Sequence, residues 1–230
     1  MRYCVSDLHG EYELFVALLE KIGFSEADEM YVCGDIIDKG DSSVRLLRYV
    51  FERENIHCIL GNHECAFLDY YHSLLADSPE DFDEVLLKLR AYFPTDGELL
   101  DWELVDWLDS LPPYIEGDGF ICVHAGIPIN PDGTLMHPSR ASLSRLIYDR
   151  KFKNKETVHR SPVCVFFGHT QTDCICGHPS VLGYKRSPDA ASDSLGSYYK
   201  IHLDTGSWSN GVLGCFCIDE CRVVYVRREK

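Results

Sequence analysis

Long apolar runs are absent from this 230-residue sequence. No stretch approaches the roughly 20 consecutive apolar residues that a membrane-spanning helix requires. The first residues lead at once into a strand-like run from Arg2 and lack the h-region and cleavage site of a secretion signal. We therefore expect a globular protein that has no membrane partner and is located in the cytoplasm.

Basic residues are scarce relative to acidic ones. The chain has 22 lysines and arginines against 37 aspartates and glutamates, which gives a formal net charge of −15. A broad nucleic-acid surface needs clustered lysine and arginine, so no nucleic-acid partner is expected. Carboxylates that hold divalent metal ions would weaken the negative field that this number suggests.

CxxC pairs are also missing, although the sequence contains 11 cysteines. Two pairs, Cys174/Cys176 and Cys215/Cys217, are separated by one residue, unlike the usual zinc knuckle. Without a secretion signal, buried thiols are expected rather than a disulfide framework. Five cysteines lie within apolar strand-like runs: Cys4, Cys33, Cys58, Cys122 and Cys164.

The first ~60 residues alternate between predicted strands and helices. Strand-like runs begin at Arg2, Met30 and His57, and helices are predicted from Glu11 to Ile22 and from Ser42 to Glu54. Gly23 is a suitable residue to end the first helix. Strands that alternate with helices indicate a parallel sheet.

The rest of the chain predicts a helical, acidic segment followed by more strands. Helices are expected within ~64–111, and strands at 163–167, 198–203, 212–218 and 222–226, after a hairpin at 114–124. A stretch at ~185–197 is rich in Ser, Asp and Gly and predicts a mobile loop. No repeat or linker divides the sequence, so we expect one α/β (α+β) domain over residues 1–230.

Five of the predicted strands end in Asp, His or Asn, usually beside a glycine. The motifs are DLHG at 7–10, GDIIDKG at 34–40, GNHE at 61–64, HAG at 124–126 and GHT at 168–170. Ligands bind at the carboxyl ends of parallel strands, and glycine lets the backbone approach a metal ion or phosphate closely. One such motif is usually only a turn. Five in succession favour a site with two metal ions, which needs about six ligands including a bridging carboxylate.

In this order the motifs resemble those of the phosphoprotein phosphatase (PPP) family of metallophosphoesterases. The resemblance extends from Asp7 to Gly206, and the short length is similar to that of bacterial and phage-type serine/threonine phosphatases and symmetrical diadenosine tetraphosphatases. It implies a sandwich of two mixed β-sheets flanked by helices, with the metal centre at its edge. Mixed oxygen and nitrogen ligands suit Mn, with Fe or Zn as alternatives, better than calcium.

The resemblance also implies a role for each motif residue. Asp35 would bridge the two ions, and His63 would be the general acid that protonates the leaving oxygen, with Asp38 orienting its imidazole. Six residues would act as metal ligands: Asp7, His9, Asp35, Asn62, His124 and His169.

The family clamps the phosphate with two arginines, and this sequence keeps only one candidate. Lys39 stands where the family has the first arginine, and it retains the charge but loses the bidentate geometry. Arg150, in the segment Leu-Ile-Tyr-Asp-Arg, is the candidate for the second. The alternative for Arg150 is an ordinary solvated arginine at the end of a helix.

Two substrate classes are compatible with such a site. Phosphoserine or phosphothreonine in a protein or peptide is favoured by Asp38 and Glu64, which follow the protein phosphatase pattern, and by the lack of a Gly-rich nucleotide fingerprint. The alternative is a dinucleoside polyphosphate, the substrate of a symmetrical bis(5'-nucleosyl)-tetraphosphatase. An inactive binding module with the same fold is a third interpretation, which only the substitution at Lys39 supports.

Overall fold

A computed structural model describes residues 1–77, 81–93, 97–187 and 194–229. Two short 3₁₀ turns, Pro138–Arg140 and Leu195–Ser197, accompany the regular elements. The strands are β1 (Arg2–Val5), β2 (Glu29–Val32), β3 (Ile56–Cys58), β4 (Tyr114–Gly117), β5 (Phe120–Val123), β6 (Cys164–Phe167), β7 (Leu182–Lys185), β8 (Tyr198–His202), β9 (Val212–Cys217) and β10 (Arg222–Arg227). The helices are α1 (Tyr12–Ile22), α2 (Ser43–Phe51), α3 (Asn62–Asp77), α4 (Phe82–Ala91), α5 (Trp102–Ser110), α6 (Leu143–Tyr148), α7 (Asp173–Cys176) and α8 (Ser207–Asn210).

The strands form two five-stranded mixed sheets. The first has the order β10-β9-β1-β2-β3, and the second has the order β4-β5-β6-β8-β7. Strands β1, β2 and β3 are parallel, as are β5, β6 and β8, whereas β9, β10, β4 and β7 pair in antiparallel fashion. The prediction of a parallel sheet is therefore confirmed for the central strands, and the two mixed sheets match the fold implied by the resemblance.

Apolar side chains divide the molecule into helix and sheet layers. Between the sheets, Phe120 and Phe166 of the second sheet pack in one cluster with Phe216 of the first. The other face of the first sheet packs against α1 to α5, and that of the second sheet packs against α6. Both sheets thus have two covered faces, which explains why β5, β6 and β9 are apolar along their length.

Helix α1 shows how the sequence determines a local boundary. Leu14, Phe15 and Leu18 are buried on one face of the helix, the spacing expected for a stripe that contacts a sheet. The helix ends at Gly23, whose φ of 64° is left-handed, and the Phe24 N–H donates back to the Leu19 carbonyl. The predicted stop at Gly23 is confirmed.

Some predicted elements differ from the structure. The helical prediction for ~64–111 is confirmed by α3, α4 and α5 in its described part, whereas the short strand β7 was not predicted. Residues 188–193 of the predicted mobile loop lie outside the described residues, while Lys185 ends β7 and Leu195–Ser197 forms a 3₁₀ turn. No helix within the described ranges is both long and apolar enough to span a membrane.

Candidate metal centre

The candidate site lies where the ends of parallel strands from both sheets meet. Asp7, Asp35 and Asn62 follow β1, β2 and β3 of the first sheet, and His124 and His169 follow β5 and β6 of the second. Because parallel strands place their carboxyl ends at one edge, the motifs that are distant in sequence converge there. The structure thus brings the six predicted ligands together.

The backbone around the site adopts conformations that most residues avoid. Among the described non-glycine residues, positive φ angles of 48–71° occur at seven positions, and only Cys221 lies away from the site. Such conformations concentrate at functional sites, where the surrounding structure must compensate for the strain. The other six residues are Asp7, His9, Asp35, Asp38, Lys39 and His169.

Two glycines allow the backbone to approach the carboxylates. A Cβ atom at Gly61 would overlap Oδ1 of Asp35, and one at Gly168 would overlap Oδ2 of Asp7. Gly168 directly follows β6 of the second sheet, so its missing side chain is what lets the two sheet edges meet at Asp7. The next N–H, from His169, donates to Asp7 Oδ2 at 3.1 Å.

The Asp35 carboxylate is at the middle of the cluster. Its Oδ2 atom lies 3.4 Å from His124 Nε2, 3.7 Å from His9 Nε2 and 3.9 Å from His63 Nε2. Its Oδ1 atom accepts the backbone N–H of His63 at 3.0 Å. Three imidazole nitrogens from three different motifs therefore face one carboxylate oxygen.

Hydrogen bonds set the tautomers of two of these histidines. His9 Nδ1 lies 3.0 Å from the Ile37 carbonyl, and His124 Nδ1 lies 2.8 Å from the Cys33 carbonyl. A carbonyl only accepts, so each Nδ1 carries the proton that it donates. When these rings are neutral, each Nε2 presents a lone pair to the carboxylate cluster, which is the arrangement of a metal-binding histidine.

A second group of donors faces the same edge. Asn62 Oδ1 lies 2.9 Å from His124 Nε2 and 2.7 Å from His169 Nδ1, and those two nitrogens are 3.2 Å apart. The other ring nitrogen of His169 is buried and has no hydrogen-bond partner among the described residues. Each ring nitrogen donates to Asn62 Oδ1 if it carries a proton, and without those protons the three acceptor atoms can lie this close only around a cation.

The charges of the cluster lead to the same requirement. Burial raises the pKa of Asp7 to about 7, and the neighbouring Asp35 carboxylate adds to the increase. Burial opposes a charge on His124, but Asp35 and Asp7 outweigh it and raise its pKa to about 10. Carboxylates that attract a proton so strongly to a buried imidazole would also attract a divalent cation. The donor set, the lone-pair orientations and the charge therefore fit two metal ions.

His63 and Asp38 form a pair beside the cluster. His63 Nδ1 donates to Asp38 Oδ2 at 2.7 Å, and the Tyr92 hydroxyl donates to the same oxygen at 3.3 Å. Burial opposes a charge on His63, but the Asp38 hydrogen bond and the Asp35 charge outweigh it and raise the pKa of the imidazole. The arrangement orients Nε2 toward Asp35 and favours the protonated ring.

The two candidate phosphate-binding cations differ in position. Lys39 Nζ lies 2.8 Å from His9 Nε2, so at present its ammonium group donates to the lone pair that a metal ion would use. Arg150 is exposed and forms no hydrogen bond or ion pair with the described residues. Its charge is near His169, whose pKa is lowered to about 4 by burial first and by positive neighbours including Arg150.

Hydrogen bonds from Lys200 hold the segment that follows Arg150. This lysine lies on β8, is fully buried, and donates to the carbonyls of Phe152, Asn154 and Thr157 at 2.6, 2.7 and 3.0 Å. Burial lowers the pKa of Lys200 to about 8, so the group is still cationic at neutral pH. Through these three carbonyls, Lys200 fixes the backbone that follows Arg150.

Glu64 has a structural role that the sequence reasoning did not assign. Its fully buried carboxylate accepts four backbone N–H groups at 2.7–3.1 Å, and thereby ties the turn of the second motif to the start of α3. The only sign of this role in the sequence is the position of Glu64, three residues after Gly61 at the start of a helix. The donors are the N–H groups of Asp35, Ile36, Ile37 and Gly61.

Two other buried groups remain outside the ligand set. Asp204 Oδ1 accepts the Gly206 N–H at 3.0 Å, and burial together with the Asp7 charge raises the pKa of Asp204 well above its usual range. This hydrogen bond fixes the turn after β8. The His202 ring stacks on Phe167 with centroids 4.4 Å apart, and its nitrogens have no partner among the described residues.

The sequence matches the profile of a known protein family. The profile of the calcineurin-like phosphoesterase family matches residues 3–202. The chain belongs to this family. Proteins of the family use a dinuclear metal centre, in agreement with the donor set described above. The choice of Mn stays a prediction.

Two curated relatives of this chain carry the same name. A symmetrical bis(5'-nucleosyl)-tetraphosphatase from Aggregatibacter actinomycetemcomitans is 34% identical over 137 residues, which cover 58% of this chain and 46% of the relative. The protein of the same name from Glaesserella parasuis is 35% identical over 129 residues, covering 54% and 44%. The chain thus aligns with less than half of each of these relatives.

Solved structures show the same fold at low sequence identity. A candidate diadenosine tetraphosphatase superposes with a TM-score of 0.70 at 17% identity, covering 98% of this chain and 92% of that one. A protein serine/threonine phosphatase from Saccharomyces cerevisiae superposes with a TM-score of 0.58 at 12% identity, covering 100% and 80%. Both agree with the arrangement of two mixed sheets flanked by helices.

Proposed function

We propose that this protein is a metal-dependent hydrolase that cleaves dinucleoside tetraphosphates symmetrically. The observation that carries the hydrolase is the Asp35 carboxylate, which three imidazole nitrogens face at 3.4–3.9 Å. The substrate class is supported by the relatives, because the two described above are both named symmetrical tetraphosphatases. In the reaction, water adds to one of the two central phosphorus atoms, the central P–O bond breaks, and two nucleoside diphosphates leave.

The two ions would be held by the six motif ligands, with Asp35 between them. When bound, such ions supply a water of lowered pKa and neutralise phosphate oxygens. Asp7, held by the His169 N–H, and His9, held by the Ile37 carbonyl, would form the first group. Asn62, His124 and His169 would form the second, and their spacing of 2.7–3.2 Å supports their sharing one cation.

His63 would donate the proton that the leaving oxygen needs. Its Nε2 points to the cluster, its Nδ1 is fixed by Asp38 at 2.7 Å, and the Asp38 hydrogen bond and the Asp35 charge raise the pKa of the ring, which favours its protonated form. Arg150, whose guanidinium is free among the described residues, would grip two phosphate oxygens, while Lys39 would contribute a point charge once released from His9.

A phosphoprotein phosphatase is the second candidate, and the His63–Asp38 pair favours it. A serine or threonine alkoxide is a much poorer leaving group than a nucleoside diphosphate, so it depends more on a well-oriented acid. The Asp38 carboxylate supplies that orientation. The fold shared with the yeast protein serine/threonine phosphatase is compatible with this candidate.

A side-by-side assay tests the choice. With Mn present in one buffer, kcat/KM is measured for diadenosine tetraphosphate and for phosphoserine peptides with basic flanking residues, which a chain of net charge −15 should prefer. We expect at least a tenfold advantage for the dinucleotide, with ADP as the sole nucleotide product. A tenfold advantage for the peptides would establish the second candidate, and formation of AMP and ATP would exclude symmetrical cleavage.

A further inference from the structure

A cavity of about 330 Å³ opens beside the candidate metal centre, between α3 and α6. Its apolar wall contains Leu68 from α3 with Leu143, Ile147 and Tyr148 from α6. Leu143 and Tyr148 are 45% and 48% exposed, so large apolar surfaces face the opening. The volume lies at the small end of the range for pockets that bind small molecules.

Tyr148 connects this cavity with the metal centre. Its ring meets the imidazole of His169 edge-on, with centroids 6.2 Å apart and planes at 81°. Burial raises the pKa of the Tyr148 hydroxyl, and so do the charges of Asp69 in the cavity and Asp35 in the centre. Tyr148 therefore lies between the metal centre and the cavity. A ligand whose phosphate is bound at the metal centre could extend its other end into the cavity.

The charge of the cavity excludes a second phosphate. Its charged lining consists of Asp69 and Asp109, and no lysine or arginine lines it among the described residues. His72 Nε2 is already paired with Asp109 at 3.0 Å, whereas the exposed Asp69 carboxylate forms no hydrogen bond or ion pair among the described residues. An occupant must thus be flat or apolar on one side and offer a hydrogen-bond donor to Asp69.

We propose that this cavity is the nucleobase subsite, in which a purine with an exocyclic amino group stacks on Tyr148 and donates to Asp69. The inference rests on the proposed function, since it places the base of a nucleotide whose phosphates are at the ions. Aromatic side chains bind bases through stacking, and a carboxylate accepts from an amino group that a phosphate-binding cation would repel. Tyr148 and Asp69 are specificity residues and take no part in the chemical step.

The first test compares two substrates in each variant. The ratio of kcat/KM for diadenosine tetraphosphate to kcat/KM for an aryl phosphate removes any general effect on the metal centre. We expect this ratio to fall about tenfold in Tyr148→Ala and severalfold in Asp69→Asn, and to stay within twofold of wild type in Tyr148→Phe, which keeps the ring. Phe82→Ala, an exposed aromatic residue on α4 outside the cavity, is the matched control. An unchanged ratio in Tyr148→Ala would overturn the assignment.

The second test does not depend on the tetraphosphatase activity. ADP and methyl diphosphate are compared as inhibitors of aryl phosphate hydrolysis, so that only the nucleoside differs. We expect ADP to inhibit at least tenfold more strongly in wild type, and this preference to disappear in Tyr148→Ala. If the preference is present while diadenosine tetraphosphate is not cleaved, the subsite stands and the proposed function fails.

The inhibition assay with ADP and methyl diphosphate also tests whether the cavity binds something other than a nucleobase. If ADP shows no preference over methyl diphosphate, the nucleobase subsite is wrong, whether or not the dinucleotide is cleaved. If in addition Asp69→Asn removes a preference for phosphopeptides with basic residues, the cavity binds a cationic peptide side chain, which would replace our proposal.

Discussion

His63 Nδ1 lies 2.7 Å from Asp38 Oδ2, while the opposite ring nitrogen faces Asp35 at 3.9 Å. One imidazole is thus held between a carboxylate that orients it and a carboxylate that belongs to the candidate metal centre. The Tyr92 hydroxyl also donates to Asp38, which restricts the rotation of the orienting carboxylate. This geometry fits the proposed role of His63 as a general acid.

Replacement of His63 should therefore slow chemistry without emptying the metal centre. For His63→Asn we expect kcat to fall by about 10²–10⁴, the usual contribution of a general acid. The loss should be largest for alkyl phosphates and smallest for aryl phosphates, whose leaving groups need little protonation. Steady-state kinetics with both substrates provides the measurement, and equal losses for the two would remove His63 from this role.

Asp35 should be indispensable for both ions, because it lies between the two groups of ligands. We expect Asp35→Asn to reduce the metal content after Mn reconstitution from two ions per chain to fewer than one, as measured by elemental analysis. Asp41→Asn, in the exposed part of the same loop, is the control and should retain two. A wild-type content of one ion or fewer would contradict the dinuclear assignment itself.

Arg150 and Lys39 should contribute unequally to phosphate binding. We expect Arg150→Ala to lower kcat/KM about 10²-fold and Lys39→Ala about tenfold, because a guanidinium can bind two phosphate oxygens at once. Lys39 also donates to His9, and this hydrogen bond must break before the ammonium group can contact a phosphate. A larger loss for Lys39→Ala than for Arg150→Ala would show that the phosphate contacts are assigned the wrong way round.

Glu64 should matter for stability and, through it, for metal affinity. An amide at this position presents N–H groups to backbone donors, so Glu64→Gln leaves buried N–H groups without an acceptor. We expect a loss of about 2–4 kcal/mol in the free energy of unfolding, measured with urea in the presence of a chelator. Glu103→Gln, an exposed acidic residue in the first turn of α5, should change stability by less than about 0.5 kcal/mol. Equal effects would show that the four hydrogen bonds contribute little.

The sequence predicted the central architecture because its signals are local. Apolar runs that end in Asp, His or Asn mark β1, β2 and β3, and Gly23 marks the end of α1. The fold and the family are confirmed, and the predicted ligands do converge. Their individual roles stay predictions until the variants are measured.

Features that depend on packing between distant segments could not be predicted in this way. The acceptor role of Glu64 requires the turn of the second motif to lie over α3, and the cavity at Tyr148 requires α6 to pack beside α3. Strand β7 was missed because Leu182–Lys185 has only four residues and borders a polar stretch. The sequence gives no sign that Lys200 differs from other strand residues, because the three carbonyls that accept its hydrogen bonds belong to a distant segment.

The candidate ligands come from both sheets, with Asn62 following β3 of one and His124 following β5 of the other. An ion shared by these residues would be a cross-link between the two halves of the sandwich, in addition to its part in hydrolysis. Folding and metal loading would then be thermodynamically linked. Removal of the metal would then weaken the contact between the two sheets as well as stop hydrolysis. Activity and the free energy of unfolding would decline together.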